Sequence, residues 1–153
     1  MALVFNGGMI RLATPADLGA IRACAEAAYA RYIPRIGRRP APMDANYAAL
    51  IAKAHVWVAG DTAVLGYASF WPLGDHLYLD AIAVLPEAAG QGLGRALMDR
   101  AEALARGQGL GAIRLYTNAA MTENLTLYPY LGFRQTDRRV ADGFDRVYFE
   151  KRL

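Results

Sequence analysis

The chain has 153 residues, 55% of them hydrophobic and 20% charged, with a net charge of +3. That length is typical of one domain, here residues 1–153, and can bury a core without staples; the composition excludes general disorder. The charge is mild and no run of basic residues marks a nucleic-acid groove, so no nucleic-acid partner is expected.

No internal repeat, low-complexity segment or linker interrupts the chain. Its start, Met1 to Gly8, lacks the basic region and long apolar core of a signal peptide. The longest apolar stretches are broken well short of the ~18 residues a membrane span needs. The expected compartment is therefore the reducing cytoplasm, away from membranes. Met9 to Ala13 alternates like a first strand. Thr14-Pro15-Ala16-Asp17 reads as a helix start, with Thr14 as N-cap, Pro15 in the first turn and Asp17 near the positive end. Leu18, Ile21, Cys24 (or Ala25) and Ala28 then share one apolar face. Cys24 is the single cysteine. It excludes an internal disulfide or multi-cysteine metal site, and on this face it reads as a small core residue rather than a nucleophile.

Residues 31 to 43 differ in kind. Pro34, Gly37, Pro40 and Pro42 forbid a continuous helix. Arg31, Arg35, Arg38 and Arg39 fall there, with no acidic residue between Glu26 and Asp44, so the segment is a basic connection, either solvated or facing a substrate. Asp44 to Lys53 reads as a short helix. Of 17 basic residues only Lys53 and Lys151 are lysines, so Schiff-base chemistry is poorly supplied.

Strands follow. His55 to Ala59 turns at Gly60-Asp61 into Ala63 to Phe70, and Trp71 to Asp75 is the next turn. His76 to Leu85 is a central strand. Alternation puts Leu77, Leu79, Ala81 and Ala83 on one side and Asp80, Ile82 and Val84 on the other. His55 and His76 are the only histidines. A His-rich zinc centre is thereby excluded, and no metal site is expected.

After Pro86 comes a glycine-rich loop and a helix whose inward stripe is Leu93, Leu97, Arg100/Ala101 and Leu104, closed by Gly107 and Gly109. Ala112 to Thr117 is a strand, and Thr122 to Tyr130 a short helix closed by Leu131-Gly132. Phe133 to Arg139 and Arg146 to Arg152 are strands around the turn Ala141-Asp142-Gly143. The order is a mixed α/β (α+β) sheet with helices on both sides.

The informative stretch is Val84-Leu85-Pro86-Glu87-Ala88-Ala89-Gly90-Gln91-Gly92-Leu93-Gly94-Arg95-Ala96-Leu97. Glycines let the backbone turn sharply, and a helix N-terminus adds free N–H donors and a positive dipole end. Together they make a site for a phosphate or pyrophosphate, to which Arg95 adds a charge. A nucleotide P-loop needs Gly-Lys-Ser/Thr, but Arg95 and Ala96 follow Gly94. A dinucleotide fingerprint needs a third glycine five positions after the first, where Gly90 gives Arg95 and Gly92 gives Leu97. The pattern Gln/Arg-x-x-Gly-x-Gly/Ala is met in full by Gln91, Gly94 and Ala96.

On these residues the sequence resembles the GNAT family of N-acetyltransferases. Leu127-Tyr128-Pro129-Tyr130-Leu131-Gly132-Phe133 is similar to the family's Leu-Tyr-x-x-x-Gly-Phe segment, and the element order agrees over nearly the whole chain. The resemblance implies a mostly antiparallel central sheet of about seven strands and an acyltransferase (EC 2.3.1 type) with acetyl-CoA as co-substrate. The loop amides of Gly90, Gln91, Gly92, Leu93, Gly94, Arg95 and Ala96 would hold the pyrophosphate. Ile82, Ala83 and Val84 would lie beside the pantetheine arm, and the strand ending at Thr117 would splay away. The family often has a basic residue where this chain has Ala89; Arg95 is placed to compensate.

Tyr128 matches the family's general acid. An amine attacks the thioester directly, and a phenol assists departure of a thiolate whose pKa is near ~8.5. Its other reading is an ordinary tyrosine on an amphipathic helix. Asn124, four residues earlier on the same face, is a candidate for the pantetheine amides or a helix cap; many relatives place an Asn at the position of Met121. Asp80 is the first candidate for general base, with a structural salt bridge as its other reading and His76, Glu123 and Asp75 as weaker candidates. The four arginines would repel polycations and welcome an acceptor amine that also bears an anionic group. A small-molecule or peptide amine is the expected partner, and relatives are often homodimers. A non-catalytic acyl-CoA-binding or regulatory module is the competing function, against which the presence of Tyr128 speaks.

Overall fold

The computed structural model describes residues 10–153. Met9 of the expected first strand and the Met1–Gly8 stretch lie outside the described residues. Seven strands form one sheet in the order β1-β2-β3-β4-β5-β7-β6. They are β1 (Ile10–Leu12), β2 (Val56–Ala59), β3 (Gly66–Leu73), β4 (His76–Val84), β5 (Ala112–Asn118), β6 (Arg134–Ala141) and β7 (Phe144–Arg152). Every neighbouring pair is antiparallel except β4 and β5, which are parallel. The helices are α1 (Leu18–Tyr29), α2 (Ile33–Ile36), α3 (Tyr47–Ala52), α4 (Leu93–Gly107) and α5 (Thr122–Tyr130). The mixed, mostly antiparallel sheet flanked by helices is the architecture expected from the sequence. Among the described residues no helix is long and apolar enough to cross a membrane.

Two cores cover the two faces of the sheet. Ile21, Cys24, Ala25 and Tyr29 of α1 pack with Tyr47 and Ile51 of α3 on one face. Leu93, Leu97, Met98, Ala101 and Ala105 of α4 pack on the other, with Tyr128 of α5, Phe133 and Phe149. Burying a leucine or methionine of this kind stabilises by roughly 1.5–3 kcal/mol, so α4 is held chiefly by its apolar stripe. Arg100, half of the expected Arg100/Ala101 position, lies outside that stripe with its guanidinium carbon 4.8 Å from the Trp57 ring centroid, while Ala101 is fully buried. Cys24 is also fully buried, and burial pushes its thiol up to about 12, as suits a core residue.

Strand β3 runs through Trp71-Pro72-Leu73, where the sequence suggests a turn. It pairs with β4 as far as Leu73↔His76, and the turn is only Gly74-Asp75. Pro72 is tolerated because β2 pairs no further along β3 than Ser69, so the missing N–H faces no partner strand.

A second difference positions the site. The β3–β4 register passes from Ser69↔Ala81 to Phe70↔Leu79 and leaves Asp80 without a partner. This is a β-bulge, and it inverts the face of every residue on one side of it. Leu77 and Leu79 therefore pack on the α4 face with Ile82 and Val84, whereas Ala81 and Ala83 pack against α1. Simple alternation, which grouped Leu77 and Leu79 with Ala81 and Ala83, fails at this one inserted residue. Asp80 moves with it. Its carboxylate accepts from the Ser69 hydroxyl at 3.0 Å, two residues along β3 from the α1-side Tyr67. Asp80 thus faces α1 and not the Ile82/Val84 side.

The entry to α1 is built as the sequence suggests. Thr14 and Asp17 form a capping box around the short 3-10 turn Pro15–Asp17, the Thr14 N–H donating to the Asp17 carboxylate at 2.8 Å. Arg11 donates to the same carboxylate at 2.8 and 2.9 Å. These bonds, the guanidinium's first, hold Asp17 down to about 2. A lowered pKa stabilises the fold above the ordinary carboxylate range, and that stabilisation is lost as pH falls through the folded value. Asp17→Asn is expected to cost about 1 kcal/mol at pH 7. Thermal unfolding of both proteins from pH 7 to 2 should show the gap in Tm closing between pH 4 and 2; a gap independent of pH would contradict it.

Candidate active site

Beyond Val84 the chain is pinned by the Leu85 N–H bond to the Leu65 carbonyl (2.8 Å), then makes a short 3-10 turn, Pro86–Ala88. Gly90 and Gly92 have φ of +81° and +82°. Nothing lies within 4 Å of a Cβ built on either, so the backbone conformation and not crowding demands glycine. Leu93, 1% exposed, anchors the start of α4 in the core. The first helical bond at this end is Ala96 N–H to the Gly92 carbonyl, 3.0 Å. Among the described residues none of the amides from Gly90 to Arg95 makes a backbone hydrogen bond of good geometry. The result is a row of free donors at the N-terminus of a 15-residue helix, where the dipole is positive. A Cβ on Gly94 would lie 3.9 Å from Val84 Cγ2, so this row abuts the end of β4. Arg95 is exposed at the rim, its Nε 3.4 Å from Asp99.

Beside it the sheet opens. β4 and β5 pair only at Leu77↔Ile113 and Tyr78↔Arg114. From Leu79 to Val84 the β5 side of β4 has no strand partner. The gap holds a cavity of about 220 Å³ whose lining includes Asp80, Ile82, Thr117, Asn124 and Tyr128. Four expected site residues, Asp80, Ile82, Asn124 and Tyr128, therefore share one space, with Thr117 at the end of the splayed strand.

Tyr128 packs its ring against Phe133 and Phe149, both at 5.6 Å between centroids. Its hydroxyl has no hydrogen-bond partner among the described residues, though it lines the cavity. Burial, with Tyr32 nearby, pushes that hydroxyl well above the usual phenol range, so it stays protonated at neutral pH. Asn124 does not cap its helix: the N-cap residue is Met121. Its amide instead donates to the Thr117 hydroxyl at 3.0 Å, joining α5 to the splayed end of β5. Ile82 is half-buried and its carbonyl accepts from the Tyr29 hydroxyl at 3.1 Å.

Asp80 has no ion-pair partner among the described residues; the Ser69 hydroxyl is its one side-chain bond. Burial raises its pKa, and Ser69 partly offsets this. The structural salt bridge considered for it is therefore absent among these residues. Glu123 is committed elsewhere, bonded to Arg35 at 2.5 Å and held down to about 2 by it and by Thr122. His76 and Asp75 bond each other at 3.0 Å at the far end of β4.

The basic segment is mostly neutralised. Arg31 and Arg35 share Glu123, at 3.4 and 2.5 Å. Arg39 takes Glu26 and Asp44, at 2.5 and 3.0 Å. Arg38 alone has no acidic partner among the described residues. It donates to the Asp142 carbonyl at 2.7 Å and lies 3.5 Å from the Phe144 ring centroid. Tyr29 and Arg146 also line the cavity, and neither stands out in the sequence. A tyrosine on an apolar helix face looks like core, and an arginine in an alternating hairpin looks like a solvated face. Only the bulge and the hairpin's position show otherwise.

A sheet parted beside a helix N-terminus, with polar groups converging on the gap, is an acyl-CoA transferase arrangement of the GNAT type. The chain belongs to the acetyltransferase (GNAT) family, whose profile matches residues 21–133. A mycothiol acetyltransferase of Arthrobacter sp. (strain FB24) is 42% identical over 62 residues, 40% of this chain and 19% of that protein. The chain thus matches about a fifth of that relative's length. Among solved structures, the PaiA N-acetyltransferase of Thermoplasma acidophilum in complex with coenzyme A superposes with a TM-score of 0.79 at 19% identity, covering 94% of this chain and 98% of that one. A ribosomal-protein-alanine N-acetyltransferase of Brucella melitensis gives 0.71 at 23% identity, covering 94% and 99%. At these identities the likeness is one of fold.

The environment of Asp80 makes a direct expectation. Its carboxyl should titrate above the ordinary carboxylate range, and Ser69→Ala should raise it further by removing the bond that favours the charged form. Carboxyl carbon chemical shifts followed against pH measure both. Titration in the usual range, or a downward shift in the Ser69 variant, would contradict the assignment.

Proposed function

We propose that this chain transfers the acetyl group of acetyl-CoA to a primary amine by direct attack. One observation carries this most strongly: the amide row of Gly90–Arg95 abuts the end of β4, whose β5 side has no strand partner, and the unbonded Tyr128 belongs to the cavity in that gap. The donors suit a diphosphate, the edge of Ile82, Ala83 and Val84, which no β5 residue pairs, suits an amide-bearing arm, and the cavity suits the reacting groups. Gln91 and Ala96 flank the donors, and Asn124 borders the arm's path.

Acetyl-CoA supplies the activated acyl carbon. Asp80 takes a proton from the substrate ammonium, directly or through water, and so frees its nitrogen lone pair. That nitrogen bonds to the carbonyl carbon as the carbon–sulfur bond breaks. Tyr128 donates its proton to the departing sulfur, and the second proton that the nitrogen loses on becoming an amide returns to Tyr128, directly or through water. A phenol kept protonated and a carboxylate with a raised pKa are suited to these two tasks at neutral pH. The acceptor class this arrangement favours is a small amine that bears an anionic group.

Release of free thiol across an amine panel tests the reaction. Tyr128→Phe should lower kcat about 10-fold or more with coenzyme A affinity unchanged, since the hydroxyl matters in the transition state. Unchanged turnover would remove Tyr128 from the mechanism. Coenzyme A binding without turnover on any amine would instead favour a non-catalytic acyl-CoA-binding module.

Two substitutions at one position separate amide from charge. Arg95→Ala removes only the guanidinium and should weaken coenzyme A binding by about 3-fold or less. Arg95→Pro also removes one free N–H in a first turn where proline is tolerated, and should weaken it about 10-fold. Equal effects in calorimetry would contradict the amide cradle. Asp80→Asn should raise Tm at pH 7, because the buried carboxylate lacks a cationic partner, while lowering turnover.

A further inference from the structure

Among the residues lining the cavity is Arg146, on β7 beside the β6–β7 turn. Its side chain is 11% exposed. The guanidinium carbon lies 4.2 Å from the Tyr116 ring centroid and 5.8 Å from that of Phe144. One of its five N–H donors is used among the described residues, in a 3.2 Å bond from Nη1 to Asp142, whose side chain is 82% exposed. The other guanidinium nitrogens make no bond within the described residues and keep contact with solvent, so they are open to a ligand's oxygens.

The surroundings sharpen the imbalance. Arg38 lies against the same Phe144 ring and uses only the Asp142 carbonyl. Two guanidiniums therefore flank this ring with Asp142 as the single acid paired to either. Asp80 is also in the cavity, without a cation. The space thus has both a carboxylate and a guanidinium with unfilled N–H donors among its lining residues. Such polarity fits a molecule with an ammonium at one end and an anion at the other.

We propose that Arg146 is a specificity-determining residue that receives the carboxylate or phosphate of the acceptor amine, with Arg38 at the rim adding attraction. The inference rests on the acetyl transfer proposed above. It replaces the basic 31–39 segment as the source of anion preference, since Arg31, Arg35 and Arg39 are spent on ion pairs. The contact with the Tyr116 ring holds the guanidinium in place, and its free N–H donors suit a bidentate contact.

The test is binding, read by calorimetry on the intact protein. Probes are ω-amino carboxylates and ω-aminoalkyl phosphates, each beside the alkylamine of the same chain length. The wild type should bind at least one anionic amine about 10-fold or more tighter than its alkylamine, and the preferred arm tells carboxylate from phosphate. Arg146→Gln should erase that difference. Asp142→Asn, whose residue tolerates the φ of +54° found there, should tighten the anionic amine about 2- to 5-fold by removing a competing carboxylate. Equal affinity within each pair, binding of no probe, or a preference that survives Arg146→Gln would overturn the proposal. Should Arg146→Gln fail to fold, no gain in Asp142→Asn would overturn it. Coenzyme A titrated separately reports on the acetyl-transfer reading, so the two can fail independently.

Discussion

The parting of β4 from β5 is the constraint on which everything else depends. Two residue pairs hold these parallel strands together, and beyond them the ladder is not continued. Abandoning a central ladder is costly, because each buried backbone group left without a partner loses about 1–3 kcal/mol. The fold tolerates it by paired substitutes. Tyr29 reaches across to the Ile82 carbonyl, and Asn124 ties α5 to the diverging end of β5 through Thr117. What stays without a strand partner is the rest of that edge and the amide row, and these are the groups a ligand with alternating donors and acceptors satisfies.

The bulge at Asp80 is the second half of the same device. Without it, Asp80 would point to the α4 face, into a packed apolar core. With it, the carboxylate turns toward α1 and into the cavity, and Leu77 and Leu79 join the α4 core. One inserted residue thus serves packing and chemistry together. The cost is a carboxylate with a single hydroxyl partner, an arrangement that lowers stability at neutral pH and is retained where function needs it.

Much of this was legible in the residues themselves. Thr14 and Asp17, the glycines before α4, the Asp142-Gly143 turn and the apolar stripe of α4 act locally, through dihedral preference, capping and periodicity, and each sits where the sequence places it. The candidate residues Asp80, Ile82, Asn124 and Tyr128 do converge. The misreadings came from long-range effects. Alternation cannot reveal a bulge, because nothing in Leu79-Asp80-Ala81 marks an extra residue until β3 is laid beside it. Trp71-Pro72-Leu73 looks like a turn until one sees that β2 has already ended. The arginines at 31, 35 and 39 look unopposed until Glu123 and Glu26 are brought near them. Arg146 looks like surface until Tyr116 lies beneath it.

The central claim is that the Gly90–Arg95 amides and the freed edge of β4 receive the diphosphate and the arm of acetyl-CoA. The most direct measurement is the backbone amide spectrum of isotopically labelled protein as coenzyme A is added. The account predicts that the largest shifts fall on residues 90–95 and 79–84 and that signals across β1 and β2 barely move. Shifts centred elsewhere, or a spectrum that does not respond, would contradict it.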